Sequence, residues 1–297
     1  MESSQYWLVV RNSSMAFKQL FILLFVLFFW SSCSNEVKTP KEVKQLDQIE
    51  NQAHIIWYWE DTFSQFEKFK LKQWIKSTLE ATEKMLGVYP FTIHCTFHLS
   101  DADHPVPFGK TSRKKGVNEV HFYVNPSFEL IDYEKDYTAQ HELSHLSIPF
   151  INRDNLWFSE GYATYLSRLI LVDQGYYAAD KFDSLYFHKI SDYPGVFNSS
   201  TATFTQVMDS LMEHHYYSHI YFGGSSFFYQ VDKQLQLNDQ SLSEVIRAYQ
   251  KQNRLTDKRL PHVLASFDEI SKSSYFTDMY AVYCNKTAAE SLSLFFK

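Results

Sequence analysis

The sequence predicts an α+β protein, a small helix-and-sheet lobe followed by a mostly helical lobe. Two patterns carry that expectation. Phe91, Ile93, Cys95, Phe97 and Leu99 alternate with Thr92, His94, Thr96 and His98, the signature of a strand with one buried face. Beyond Tyr133, apolar residues recur at helical spacing almost to the C-terminus, interrupted at Pro149, Gly175, Pro194-Gly195 and Pro261.

Taken in order, the N-terminus reads as an export segment. Residues 20–30 are unbroken apolar, preceded by Lys18 and followed by Ser31, Ser32 and Cys33. That run is too short for a hydrocarbon core that needs about 20 residues, and its layout is that of a signal peptide. Small residues just before a Cys resemble the bacterial lipobox, in which the Cys is acylated. The expectation is a signal peptide over residues 1–33 and an exported lipoprotein of the bacterial cell envelope, held to the membrane by lipid on Cys33. Trp30 departs from the aliphatic residue usual three places before that Cys. Met15 is an alternative start, because Met15-Ala-Phe-Lys18 makes a better charged leader than residues 1–14.

Residues 34–51, rich in Lys, Glu and Gln, read as a tether, and residues 52–297 as the folded domain. Within it, 52–132 form the α/β lobe and 133–297 the helical lobe. Over 61–86 the residues Phe63, Phe66, Phe69, Trp74, Ile75, Leu79 and Leu86 recur at helical spacing, with Gly87 as the stop. The strand at 91–99 follows, then a loop with Pro105, Pro107, Gly109 and Gly116. A second strand over 119–124 ends at Asn125-Pro126. Helices are expected over roughly 136–147, 155–174, 203–215, 219–236, 240–252, 259–271 and 274–284.

Composition narrows the function classes. Hydrophobic residues at 45% and charged residues at 21% allow a sizeable core, and a net charge of −6 gives no ground for nucleic acid as a partner. The basic cluster at 110–115 reads as a solvated loop. There are 3 Cys and no CxxC, which disfavours a cysteine metal site. Cys95 and Cys284 are left either to pair or to remain free, Cys95 on a buried face.

The chemistry concentrates at His141-Glu142-Leu143-Ser144-His145, an HExxH. On a helix, positions i and i+4 share a face, so both imidazoles can reach one cation. Glu142 lies about 100° round the helix from His141, placed to touch water at that cation instead of ligating it. A catalytic zinc site wants three protein ligands and an open position. Glu160, in Trp157-Phe158-Ser159-Glu160-Gly161-Tyr162-Ala163-Thr164-Tyr165, is the candidate third ligand, on a helix joined to the first by a short loop. A carboxylate in so apolar a helix needs a partner: a metal, or Arg153 or Arg168.

HExxH followed by a WxxEGxAxY helix resembles the gluzincin metallopeptidases, particularly the aminopeptidase N and leukotriene A4 hydrolase group and the glycyl aminopeptidase relatives. The resemblance is close over the two motif helices and loose over 131–297. It implies a thermolysin-like catalytic fold, zinc on His141, His145 and Glu160, and Glu142 as general base. The activity it implies is aminopeptidase-like hydrolysis of a peptide or protein substrate, with endopeptidase cleavage left open. The interval to the third ligand is shorter than the family's usual eighteen residues, which implies a trimmed loop around 151–154. The family's oxyanion tyrosine, in a YxKG segment, corresponds to Tyr221 in Tyr221-Phe222-Gly223-Gly224, where Gly223 replaces the Lys and Tyr216 and Tyr217 compete. The amine-gripping GxMEN strand is matched only by Gly116 and Glu119 of Gly116-Val117-Asn118-Glu119-Val120, and Glu119 reads better as an exposed strand residue. The family's large N-terminal β-sandwich has no counterpart. The rival reading is a non-catalytic peptide- or metal-binding lipoprotein that keeps the fold; Glu142 argues against it, since a pure binder has no use for a base.

Overall fold

A computed structural model of the chain describes residues 46–47, 55–114, 116–191, 194–198, 201–252 and 259–296. The signal segment, Cys33 and all of the tether except 46–47 lie outside them. Five strands form one sheet: β1 (Leu46–Asp47), β2 (Ile55–Trp59), β3 (Ile93–Leu99), β4 (Phe108–Lys114) and β5 (Val117–Val124), in the order β1-β2-β3-β5-β4. β2, β3 and β5 are parallel neighbours, and β1 and β4 are antiparallel edges. A parallel β2–β3 pair requires a crossover, which α1 (Gln65–Leu86) provides.

α1 opens on a capping box, Ser64 with Glu67, and stops at Gly87, whose φ of 96° suits a residue without Cβ. Its buried face is Leu71, Trp74, Ile75, Thr78, Leu79 and Leu86. Phe66 and Phe69, expected on that face, are instead 71% and 66% exposed. Lys70 takes the inward place near them, its Nζ donating to the Pro126 and Phe128 carbonyls. Apolar spacing alone could not register that exchange, because the carbonyls that accept from Lys70 come from a distant turn.

The helices that follow are α2 (Leu130–Lys135), α3 (Thr138–His145), α4 (Leu156–Asp173), α5 (Phe182–Ser191), α6 (Pro194–Phe197), α7 (Phe204–Glu213), α8 (Tyr217–Gln236), α9 (Leu242–Gln252), α10 (Leu260–Ser271), α11 (Tyr275–Asn285) and α12 (Ala288–Ser291). The expected 136–147 helix is shorter. Asp136 is extended, and its carboxylate accepts the Thr138 backbone N–H at 2.8 Å, so α3 starts there as a helix separate from α2. α5 had no counterpart among the expected helices, although Phe182, Tyr186 and Ile190 are buried at four-residue spacing.

The sheet also departs from expectation at three places. Residues 46–47, assigned to the tether, pair with Ile55 and Ile56. β2 lies in a segment for which the sequence pattern predicts no strand. By sequence β4 reads as a loop, because Phe-Gly-Lys-Thr-Ser-Arg-Lys has one large apolar residue; it is a strand through its pairing with β5, from Phe108↔Tyr123 to Lys114↔Val117. A polar, basic edge strand is what an exposed sheet edge favours. Cys95 and Cys284 are both free, the first buried in β3 and the second on α11.

Two apolar cores result. One lies between the sheet and α1, with Trp74 against Phe122 and Tyr133, and it takes Ala139 and Leu143 from α3. The other is helical, with Trp157, Phe158 and Tyr162 of α4 packed on Phe227 and Phe228 of α8. α3 belongs to the first core and α4 to the second. Groups projecting from the facing sides of α3 and α4 therefore meet at the seam between cores.

Candidate active site

Both motif histidines project from α3 into that seam, and Glu160 meets them from α4. Their ligating atoms all lie within 4.8 Å of one another, so the three could hold a metal ion. His141 Nε2 is 3.1 Å from Glu160 Oε2 and 3.2 Å from His145 Nε2, and His145 Nε2 is 3.6 Å from the same carboxylate oxygen. Ligands on a tetrahedral cation with bonds of about 2.0–2.1 Å stand roughly 3.3 Å apart, so these separations fit zinc as they stand. The donor set, two imidazoles and a carboxylate, is one that zinc accepts. Arg168, weighed as the partner of Glu160, instead lies 4.5 Å over the Tyr137 ring.

Between the protein groups alone, the electrostatics already favour this arrangement. Burial would raise the Glu160 carboxyl, but charge from His145 and hydrogen bonds from both histidines outweigh it and hold the group well below its ordinary value. Burial would likewise lower His145; Glu160, and then Glu142, reverse that and leave it above the ordinary histidine value.

Glu142 is 7% exposed and is held from β4. The Thr111 hydroxyl lies 2.8 Å from Glu142 Oε2 and 2.8 Å from the Glu142 carbonyl, with its one proton available to either. Arg113, two residues along β4 on the same side, donates to the His145 carbonyl at 2.6 Å. Burial pulls its pKa down to about 10, so it remains a cation near neutral pH. The strand can come this close only because residue 109 is glycine: a Cβ there would lie 2.7 Å from Thr138 Cγ2 and 2.8 Å from Glu142 Cγ. Gly109, Thr111 and Arg113 carry no periodic signal in the sequence, where their polar segment reads as a loop.

Tyr221 arrives from α8. Its ring centroid is 5.6 Å from that of His141, and burial, followed by the Glu160 and Glu142 carboxylates, pushes its hydroxyl well above the ordinary phenol value. Two glycines bring α8 this near α4. A Cβ on Gly224 would stand 2.0 Å from the Trp157 carbonyl oxygen, and one on Gly161 would stand 2.2 Å from the Gly224 carbonyl carbon. Gly223, where the resemblance expects Lys, faces Met208 and Phe197 and admits no side chain without their displacement. The competing tyrosines Tyr216 and Tyr217 are 55% and 44% exposed and line neither cavity at the site.

Those cavities measure about 270 Å³ and about 470 Å³. The first is walled by Ile148, Pro149, Phe150, Ile151 and Leu156 beyond His145. The second is walled by His104, Val106, Pro107 and Tyr137 beyond His141. Both include Phe108, Gly109, Glu142 and Tyr221, so they meet at the glutamate. Glu119 is elsewhere. It lies opposite Ser112 on the outer face of the sheet, 3.9 Å from His121, and is a part-exposed strand residue. The strand packed most closely on α3 is β4, which presents Gly109, Thr111 and Arg113 to it.

No protein-family model matches the chain, and no curated protein matches it. Solved structures do. An M1 zinc metallopeptidase with bound L-arginine superposes with a TM-score of 0.52 at 14% identity, over 83% of this chain and 52% of that one. An M1 zinc metallopeptidase from Deinococcus radiodurans with a bound Tyr-Ser-Ala substrate gives 0.50 at 14% identity, over 83% and 52%. Native leukotriene A4 hydrolase from Saccharomyces cerevisiae gives 0.52 at 14% identity, over 82% and 39%. The chain spans about half the length of the two M1 structures and less of the hydrolase. Identities this low speak to the fold alone, and on that level the chain folds like the M1 zinc metallopeptidases and leukotriene A4 hydrolase.

Proposed function

We propose that this chain is a zinc-dependent peptidase with a thermolysin-like catalytic arrangement, in which His141, His145 and Glu160 hold the metal and Glu142 is the general base. The observation that carries the reading is the convergence of the three ligating atoms within 4.8 Å beside a buried glutamate and a tyrosine, in a cleft. Zinc bound there would serve as a Lewis acid that polarises a carbonyl and acidifies water. Glu142 takes the proton from the attacking water and passes it to the leaving amine. Thr111 fixes the carboxylate for that transfer. The raised Tyr221 hydroxyl stays protonated and donates to the oxygen that gains charge as the carbonyl becomes tetrahedral. The fold shared with M1 zinc metallopeptidases, one of them solved with a tripeptide, supports the same reading.

The test is mass spectrometry of a mixed peptide pool incubated with the zinc-loaded protein and with Glu142→Gln. Fragments from the wild type and none from Glu142→Gln, with zinc retained in both, are expected. Zinc-loaded wild type that produces no fragments removes the peptidase reading and leaves the binding one. The lipid on Cys33 and a cell-envelope location belong to the same proposal and rest on the N-terminal sequence. Cys33→Ser should release the protein from the membrane fraction of an expressing bacterium; unchanged fractionation refutes the anchor.

A further inference from the structure

We propose that the cleft cuts internal peptide bonds and makes no use of a free α-ammonium, an inference that rests on the peptidase reading and narrows its substrate class. A site that removes N-terminal residues must hold an ammonium within one residue of the scissile bond. Close to the metal and out of bulk water, that charge needs a carboxylate, because an unpaired buried cation is costly. Among the described residues lining the two cavities, the carboxylates are Glu142 and Glu160. Glu160 is committed to the histidines, and Glu142 to the proton transfer.

Two acids near the cavities already have other partners. Asp136 is buried, accepts from the Thr138 N–H and faces His104 at 3.5 Å. Glu119 is on the outer face of the sheet. The side of β4 that faces α3 presents Gly109, Thr111 and Arg113, so the charge it brings is a cation, in addition to the metal. β4 therefore supplies no carboxylate that could pair with an ammonium.

Two further observations favour a chain that continues in both directions. Cavities extend from Glu142 and Tyr221 beyond both His141 and His145, giving room for residues on either side of the bond. Among the described residues β4 is the terminal strand of the sheet and pairs with β5 alone, so its outer edge can accept an extended backbone along the cleft. Phe108 and Phe150, 54% and 67% exposed where they border the first cavity, offer apolar contact to side chains of that backbone.

The experiment pairs peptides of one sequence, with a free and with an acetylated N-terminus. Binding to zinc-loaded full-length Glu142→Gln is read by calorimetry, and cleavage by wild type is read by mass spectrometry. The expected result is equal affinity within about threefold, and the same internal cut in both peptides. A site built on an ammonium–carboxylate contact would lose on the order of a hundredfold in affinity on acetylation. That loss, or products shortened by single terminal residues, overturns the inference while leaving the peptidase reading standing. Equal binding of both peptides with no cut in either by wild type instead overturns the peptidase reading itself.

Discussion

Glu142 and Thr111 show how one hydroxyl can prepare a base. In the proposed mechanism the carboxylate points at water beside the metal, and the Thr111 hydroxyl, 2.8 Å away, limits its rotation. Thr111→Val keeps the shape and removes the donor, so turnover should fall by about tenfold with KM and zinc content little changed. Thr111→Ser should restore most of it, as measured by steady-state kinetics on a cleaved peptide. Tyr221→Phe should cost about 10²–10³ in kcat if its hydroxyl meets the oxyanion, again with zinc retained. His145 allows a prediction about pH. Its pKa in the folded, metal-free protein is raised, so the protonated imidazole adds stability below the ordinary value of about 6.5, and that stability is lost as pH rises through the raised value. Zinc requires the neutral imidazole, and its stabilisation has the opposite sign. The difference in Tm between zinc-loaded and zinc-free protein should therefore widen from about pH 6 to about pH 8. Calorimetry showing a constant difference would count against His145 as a ligand.

Among the elements, the α4–α8 crossing decides whether Tyr221 reaches the proposed metal site. That crossing is a contact between glycines. A methyl on Gly224 would meet the Trp157 carbonyl, which is backbone and cannot swing aside. Gly224→Ala should cost about 1–3 kcal/mol in urea unfolding through overpacking, and should lower turnover by moving Tyr221. Gly195→Ala, on α6 with nothing within 4 Å of the added carbon, is the matched control and should change stability by less than about 0.5 kcal/mol. Equal effects at both positions would show that backbone freedom, and not the close approach, governs Gly224. β4 is the other element on which the site depends. Its own residues have weak strand character, and Gly109 is required where it passes α3, so the register with β5 sets which of its side chains face the glutamate.

For the whole molecule, the consequence of two cores is that each supplies part of the candidate metal site. Trp74 is fully buried in the sheet core, far along the chain from Glu160, and Trp74→Ala should cost about 3–5 kcal/mol in unfolding free energy. Because α3 packs on that core, zinc affinity should fall along with stability, measurable by chelator competition. Unchanged affinity would mean that the helical lobe holds the site without the sheet.

The features legible in the amino-acid pattern alone are short-range and chemical. His141 and His145 share a helix face because helical geometry puts i and i+4 together, and Glu160 follows on a second helix because the connecting loop is short. The alternation in β3 and most helices after Tyr133 were legible for the same reason, since each pattern repeats within a turn or a pleat. The remaining features depend on long-range packing. Thr111 meets Glu142 31 residues away through the pairing of β4 with β5, a pairing that the polar β4 sequence does not advertise. Gly161 and Gly224 meet because two helices cross there, and a glycine's missing side chain leaves no periodic signal. The face on which a carboxylate ends, outward for Glu119 and inward for Glu160, depends on strand register and helix rotation, and both are set by cores assembled from distant parts of the chain.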